Sequence, residues 1–114
     1  MKFDNFYDLG RHIEIQVCEI LQSFGWSTYL SPGSRGPADI YANKESQKWY
    51  VQVKYRSNGV IPLPHFEESK LLQYSKNSNA KPILAAVCRY PGGLLLNAYN
   101  YRDKINSNVV RDKQ

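Results

Sequence analysis

The chain has 114 residues, 42% of them hydrophobic, and a formal net charge of +5. That length suits one domain with one core. No apolar run approaches the roughly 20 residues of a membrane span and the N-terminus lacks a signal-peptide pattern, so a single cytoplasmic domain over residues 1–114 is expected. The charge is uneven: residues 51–114 carry ten Lys or Arg against four Asp or Glu, whereas residues 1–50 carry five against six. A basic second half suits an acidic polymer, and a merely basic surface is the plainer alternative. Cys18 and Cys88 stand far apart, with no second ligand at zinc-like spacing, and read as free thiols.

In chain order, residues 1–9 contain Phe3, Phe6, Tyr7 and Leu9. They read as an N-terminal arm or a first helical turn, with Asp4 or Asn5 as cap; Gly10 weakens a continuous helix here. From Arg11 to Phe24, the residues Ile13, Val17, Ile20, Leu21 and Phe24 recur at helical spacing and predict an amphipathic helix. Gly25 ends it in the C′ position. Glu14 sits at the edge of the apolar stripe, able to lean over a sheet edge; a solvated helix acid is the simpler reading. Residues 26–30 are a strand candidate. Residues 31–37 hold two glycines, two prolines and two serines and predict a loop. Its N–H groups and hydroxyls can meet a phosphate, with Arg35 adding charge; an ordinary turn is the alternative.

Asp39 opens a second strand, and residues 48–55 form a third. Alternation puts Gln52 and Lys54 on one face and Val51 and Val53 on the other. A hairpin through residues 43–48 brings Asp39 beside Gln52 and Lys54. After a polar connection from Arg56 to Gly59, a second helix is expected over residues 65–74. Phe66, Ser69, Leu71 and Tyr74 are its expected packing contacts. Glu67 and Glu68 fall in its first turn, where the helix dipole favours acids, and read as helix-end charges. His65 reads as a surface or capping residue, and His12 has no histidine or cysteine at ligand spacing. Residues 82–90 form an interior strand, Pro91-Gly92-Gly93 a tight turn, and residues 94–101 its hairpin partner. Residues 103–114 are expected to fray. The order predicts an α/β domain: a central mixed sheet of about five strands flanked by helices.

Asp39, Glu14, the side-chain oxygen of Gln52 and the backbone carbonyl of Val53 would form a partial cage of oxygens, the ligands magnesium prefers. A carboxylate-held divalent metal can activate water, neutralise charge at phosphorus and help the leaving oxygen. Lys54 beside it can stabilise developing charge. These residues therefore point to phosphodiester hydrolysis, although an Asp with Gln-x-Lys on a strand also arises by chance.

The ordered set Gly10 with Glu14, the loop Ser31-Pro-Gly-Ser-Arg-Gly, Pro37-Ala-Asp39 and Gln52-Val-Lys54 resembles the PD-(D/E)xK nuclease superfamily. Within it, the archaeal Holliday junction resolvases are most similar. The resemblance covers roughly residues 10–101 and implies a restriction-endonuclease-like core. It implies that Glu14, Asp39 and Gln52 hold Mg2+, with Mn2+ as a substitute, and that Lys54 adjoins the attacking water. The expected DNA-contacting residues are Arg11, Ser31, Ser34, Arg35, Lys54 and Arg56. The implied partners are four-way DNA junctions and a second copy of the chain, with no membrane and no small-molecule cofactor. Exposed aromatics such as Tyr74, Tyr99 and Tyr101 are candidates for the dimer face, with ordinary packing against the sheet as the plainer alternative.

Two positions depart from the pattern: an Ala separates Pro37 from Asp39, and Gln52 replaces an acid. The amide removes one negative charge, so weaker metal binding is expected and Gln52→Glu is expected to be harmless or beneficial. Restriction-type nucleases related to the Mrr group resemble the Gln-x-Lys form. Three readings follow: a junction resolvase, a related nuclease acting on duplex DNA, and a catalytically silent DNA-binding module of the same fold.

Overall fold

The first helix, α1 (Phe6–Ser23), runs straight through Gly10. A methyl at Gly10 would meet nothing within 4 Å, so this is an open surface position. Ile13, Val17, Cys18, Ile20 and Leu21 are buried along one side, and Glu14 lies among them. Phe24, expected in that stripe, falls beyond the last turn and is exposed. The ending is a Schellman motif: Trp26 N–H donates to the Leu21 carbonyl at 3.1 Å and Gly25 N–H to the Gln22 carbonyl at 3.0 Å. Gly25 supplies the positive φ of 94° that this ending needs. In this computed structural model the described backbone comprises residues 6–32, 36–56, 63–90, 93–100 and 108–113. The described side chains are those of residues 9–32, 36–55 and 63–88, and that of Leu96.

The remaining elements are β1 (Ser27–Leu30), β2 (Ile40–Lys44), β3 (Gln47–Arg56), α2 (His65–Asn77), β4 (Lys81–Tyr90), β5 (Gly93–Asn100) and β6 (Asn108–Lys113). The strands form one mixed sheet in the order β1-β2-β3-β4-β5-β6. All neighbouring pairs are antiparallel except β3 with β4, which α2 connects as a parallel pair. The β2–β3 hairpin is tighter than expected: Lys44 pairs with Gln47, and Glu45 turns the chain at a φ of 55°. The sixth strand comes from a segment expected to fray. Its polar composition hid it, because an edge strand paired on one side needs backbone partners more than an apolar face.

Strand alternation divides the core in two. Ile40, Ala42, Val51, Ile83, Ala85 and Val87 face α1, where Trp26 stacks on Trp49 with ring centroids 4.0 Å apart. Ala38, Leu63, Leu71 and Leu84 form the smaller core under α2, with Tyr41, Tyr50 and Leu72 against it. One helix therefore covers each face. Helix α2 sits in a different rotation from the expected one. Leu71 packs inward as expected and Ser75 joins it, both with no exposed surface, while Phe66, Ser69 and Tyr74 are exposed. Cys18 and Cys88 are free thiols, the first buried and the second half-buried. Among the described residues, no helix is long and apolar enough to cross a membrane.

Candidate active site

The start of β2 carries the first acid. Asp39 is 7% exposed and held by its own backbone: its N–H donates to the Val51 carbonyl at 2.9 Å, and its carbonyl accepts from Ser31 N–H at 2.8 Å. Its Oδ2 accepts from the Val53 N–H at 2.8 Å. Val53 thus meets Asp39 through its amide hydrogen, whereas the expectation concerned its carbonyl. The second acid arrives from α1. Glu14 is 9% exposed, which removes the solvated-acid reading. Arg11 ties it in place, its Nη1 donating to Glu14 Oε1 at 3.3 Å and to the Ser31 carbonyl at 2.8 Å.

Burial pushes the Asp39 carboxyl above its usual range, more than the Val53 N–H and the Lys54 charge pull it down. Burial and then the charge of Asp39 push Glu14 up, against the pull of Arg11. Two desolvated acids, with the charge of Asp39 further raising Glu14, are a site that favours added positive charge.

The third contribution comes from β3. Gln52 and Lys54 share a face, and both reach a residue that the sequence reading set aside. Gln52 Nε2 donates to Glu67 Oε1 at 2.9 Å, and Lys54 Nζ donates to the same oxygen at 2.9 Å and to Oε2 at 3.3 Å. Burial alone would raise the Glu67 carboxyl, but the hydrogen bonds from Lys54 and Gln52 outweigh it and hold it below its ordinary value. The other end of the amide, Gln52 Oε1, is buried with no hydrogen-bond partner. A buried acceptor in that state costs free energy, and its lone pairs are open to a donor, a water or a cation.

The structure thus links Glu14, Asp39, Gln52 and Lys54, and adds Glu67. Among the described residues, no three of His, Cys, Asp and Glu gather as a metal-binding group. A cation here would therefore draw on two carboxylates and the Gln52 oxygen. All are hard oxygen donors, the class magnesium and manganese take, and the orphaned Oε1 is the observation that makes them fit. Arg11 and Ser31, expected to contact DNA, also hold the fold together, Arg11 with its side chain part-exposed. Ser31 is 2% exposed, and Arg11 is the strut between α1 and its carbonyl. Gly36 is constrained by the same loop, because a methyl there would collide with the Tyr41 hydroxyl and crowd Ser31 Oγ at 3.2 Å. Ser34 and Arg35 lie outside the described residues, as does the Arg56 side chain at the end of β3.

This architecture is shared with a known nuclease fold. The chain is similar to the 1.6 Å structure of Archaeoglobus fulgidus Hjc, a Holliday junction resolvase from an archaeal hyperthermophile. The TM-score is 0.70 and the identity 18%, covering 80% of this chain and 75% of that one. No curated protein matches. The family model of the archaeal Holliday junction resolvases (Hjc) matches residues 5–114. The chain belongs to that family, and so to nucleases that act on DNA.

Proposed function

We propose that the chain is a magnesium-dependent endonuclease that resolves four-way DNA junctions by paired symmetric nicks, working as a homodimer. The observation that carries the metal-dependent reading is the buried, unpartnered Gln52 Oε1, next in sequence to the Val53 whose N–H holds Asp39, while burial raises the carboxyls of Asp39 and Glu14. Glu14, Asp39 and Gln52 Oε1 would hold the cation, which supplies charge neutralisation at the phosphodiester and a bound water of lowered pKa. Asp39 is aimed by the Val53 N–H, and Glu14 by Arg11. Lys54, gripped by Glu67, presents an ammonium that can orient the attacking water or stabilise charge developing on a phosphate oxygen. Burial of the acid pair keeps competing water out and strengthens each of these interactions.

Paired nicks need two sites related by the symmetry of the junction, which a twofold dimer provides. Phe66 and Tyr74, 74% and 46% exposed on α2, offer apolar surface for a second copy. The test is cleavage of a labelled four-way junction beside a linear duplex of the same arms, with Mg2+ or Mn2+, for wild type and Asp39→Asn. Paired nicks in the junction alone, lost in the variant, are expected. Cutting of both substrates would point instead to a duplex nuclease, and junction binding without cutting to a silent binding module.

A further inference from the structure

The family pattern puts an acid where this chain has Gln52, yet a carboxylate still stands there, contributed by a different element. Glu67 belongs to the inward face of α2. Leu71 and Ser75, one and two turns further on, have no exposed surface, and this spacing points Glu67 at the sheet rather than at solvent. There it accepts from two polar side chains of the β3 face, Gln52 and Lys54, through a single oxygen at 2.9 Å from each. We infer that Glu67 is a positioning residue of the site. By holding the amide nitrogen of Gln52, it fixes which end of that amide is left for the cation, and it returns the negative charge that Gln52 lacks. The inference rests on the metal-dependent reading above.

The physical need is specific to an amide. Its two ends have nearly the same shape, so packing alone does not choose between them. Turned round, the group would offer two N–H donors to a cation, which is repulsive. A hydrogen bond to an ionised acceptor is roughly twice as strong as a neutral one, so Glu67 sets the orientation. The unpartnered Oε1 is its consequence: with Nε2 committed to Glu67, the oxygen is the end that remains. An acid at the same strand position would need no such partner, because its two oxygens are equivalent. Substituting the amide therefore creates a requirement for an orienting group, and Glu67 meets it while also anchoring Lys54.

The experiment is Mn2+ binding by the full chain without DNA, followed by the electron-spin resonance signal of free Mn2+, with folding checked by circular dichroism. Glu67→Gln is expected to weaken Mn2+ binding about tenfold or more, the usual effect of losing a group that orients a metal ligand. Glu19→Gln removes the same charge from an exposed position on α1 and should leave affinity unchanged. The exchange Q52E/E67Q puts the acid on the strand and the amide on the helix, with a donor still facing an acceptor. It should bind Mn2+ at least as well as wild type. Wild-type affinity in Glu67→Gln, or a folded exchange variant that binds below wild type, would overturn the inference. If Glu67→Gln does not fold, the exchange variant decides the matter alone. A wild-type chain that binds no Mn2+ would overturn the inference together with the metal-dependent reading. One that binds Mn2+ but cuts no junction would overturn only the nuclease reading.

Discussion

Asp39→Asn should make the cation-free protein more stable while it abolishes cutting. The asparagine oxygen can still accept from the Val53 N–H, the 2.8 Å bond that aims this side chain. What is lost is a charge in a 7% exposed position, which burial disfavours and which raises Glu14 in turn. Removing a strained functional charge of this kind commonly gains on the order of 1 kcal/mol, or about 4 °C in Tm for a chain of this length. The pH dependence has a definite sign. The folded Asp39 carboxyl holds its proton more tightly than in the unfolded chain. Wild-type stability therefore falls as pH rises from the unfolded value of about 3.9 through the raised folded value, and stays level above it. The variant has nothing to titrate at this position, so its advantage opens across that window. Divalent cation reverses the order: at ten times Kd it adds about 1.4 kcal/mol to wild type, roughly 5 °C, and little to the variant. Melts at several pH values, with and without Mn2+, test both halves. A variant less stable than wild type near pH 7 without cation, or one stabilised equally by Mn2+, would refute the electrostatic account of the acid pair.

Gln52→Glu, expected from the sequence to leave activity equal or higher at low magnesium, should lower Tm near pH 7 by an amount corresponding to about 1 kcal/mol. The new carboxylate would meet Glu67 where Nε2 now lies 2.9 Å away; acidification should restore stability as one of the pair takes a proton, and an unchanged melt would refute the contact. Gly36→Ala should cost about 1–3 kcal/mol in urea unfolding, because the added methyl collides with the Tyr41 hydroxyl; an unmoved midpoint would show that the loop yields. Phe66→Ser should shift the sedimentation of a dimer to that of a monomer while changing the intrinsic stability of the fold by less than about 0.5 kcal/mol. An unchanged sedimentation coefficient would place the dimer face elsewhere.

Five of the six strands, both helices and the placement of Asp39, Gln52 and Lys54 were legible because each carries a local signal. Alternation fixed the shared face of Gln52 and Lys54, and the hairpin registered Asp39 against them. Glu14 was harder. Its spacing allowed a solvated acid, and only the seating of α1 on the sheet shows it at 9% exposure among Ile13, Val17 and Cys18. The C-terminal strand was missed because its pairing is made by backbone groups rather than an apolar pattern.

Glu67 was missed for a more instructive reason. A first-turn acid has a complete explanation in the helix dipole, so nothing in its immediate surroundings asks for another. The choice depended on the rotation of α2, and there the largest apolar side chains misled. Phe66 and Tyr74 are bulkier than Leu71 and Ser75, yet they face outward. Leu71 packs with Ala38, Leu63 and Leu84, and Ser75, one turn on, is likewise fully buried. That choice of inward face brings the residue one turn before Leu71 over Gln52 and Lys54. An outward-facing Phe66 and an inward-facing Glu67 are thus two results of one helix rotation, which turns one edge of α2 to Gln52 and Lys54 and another to solvent.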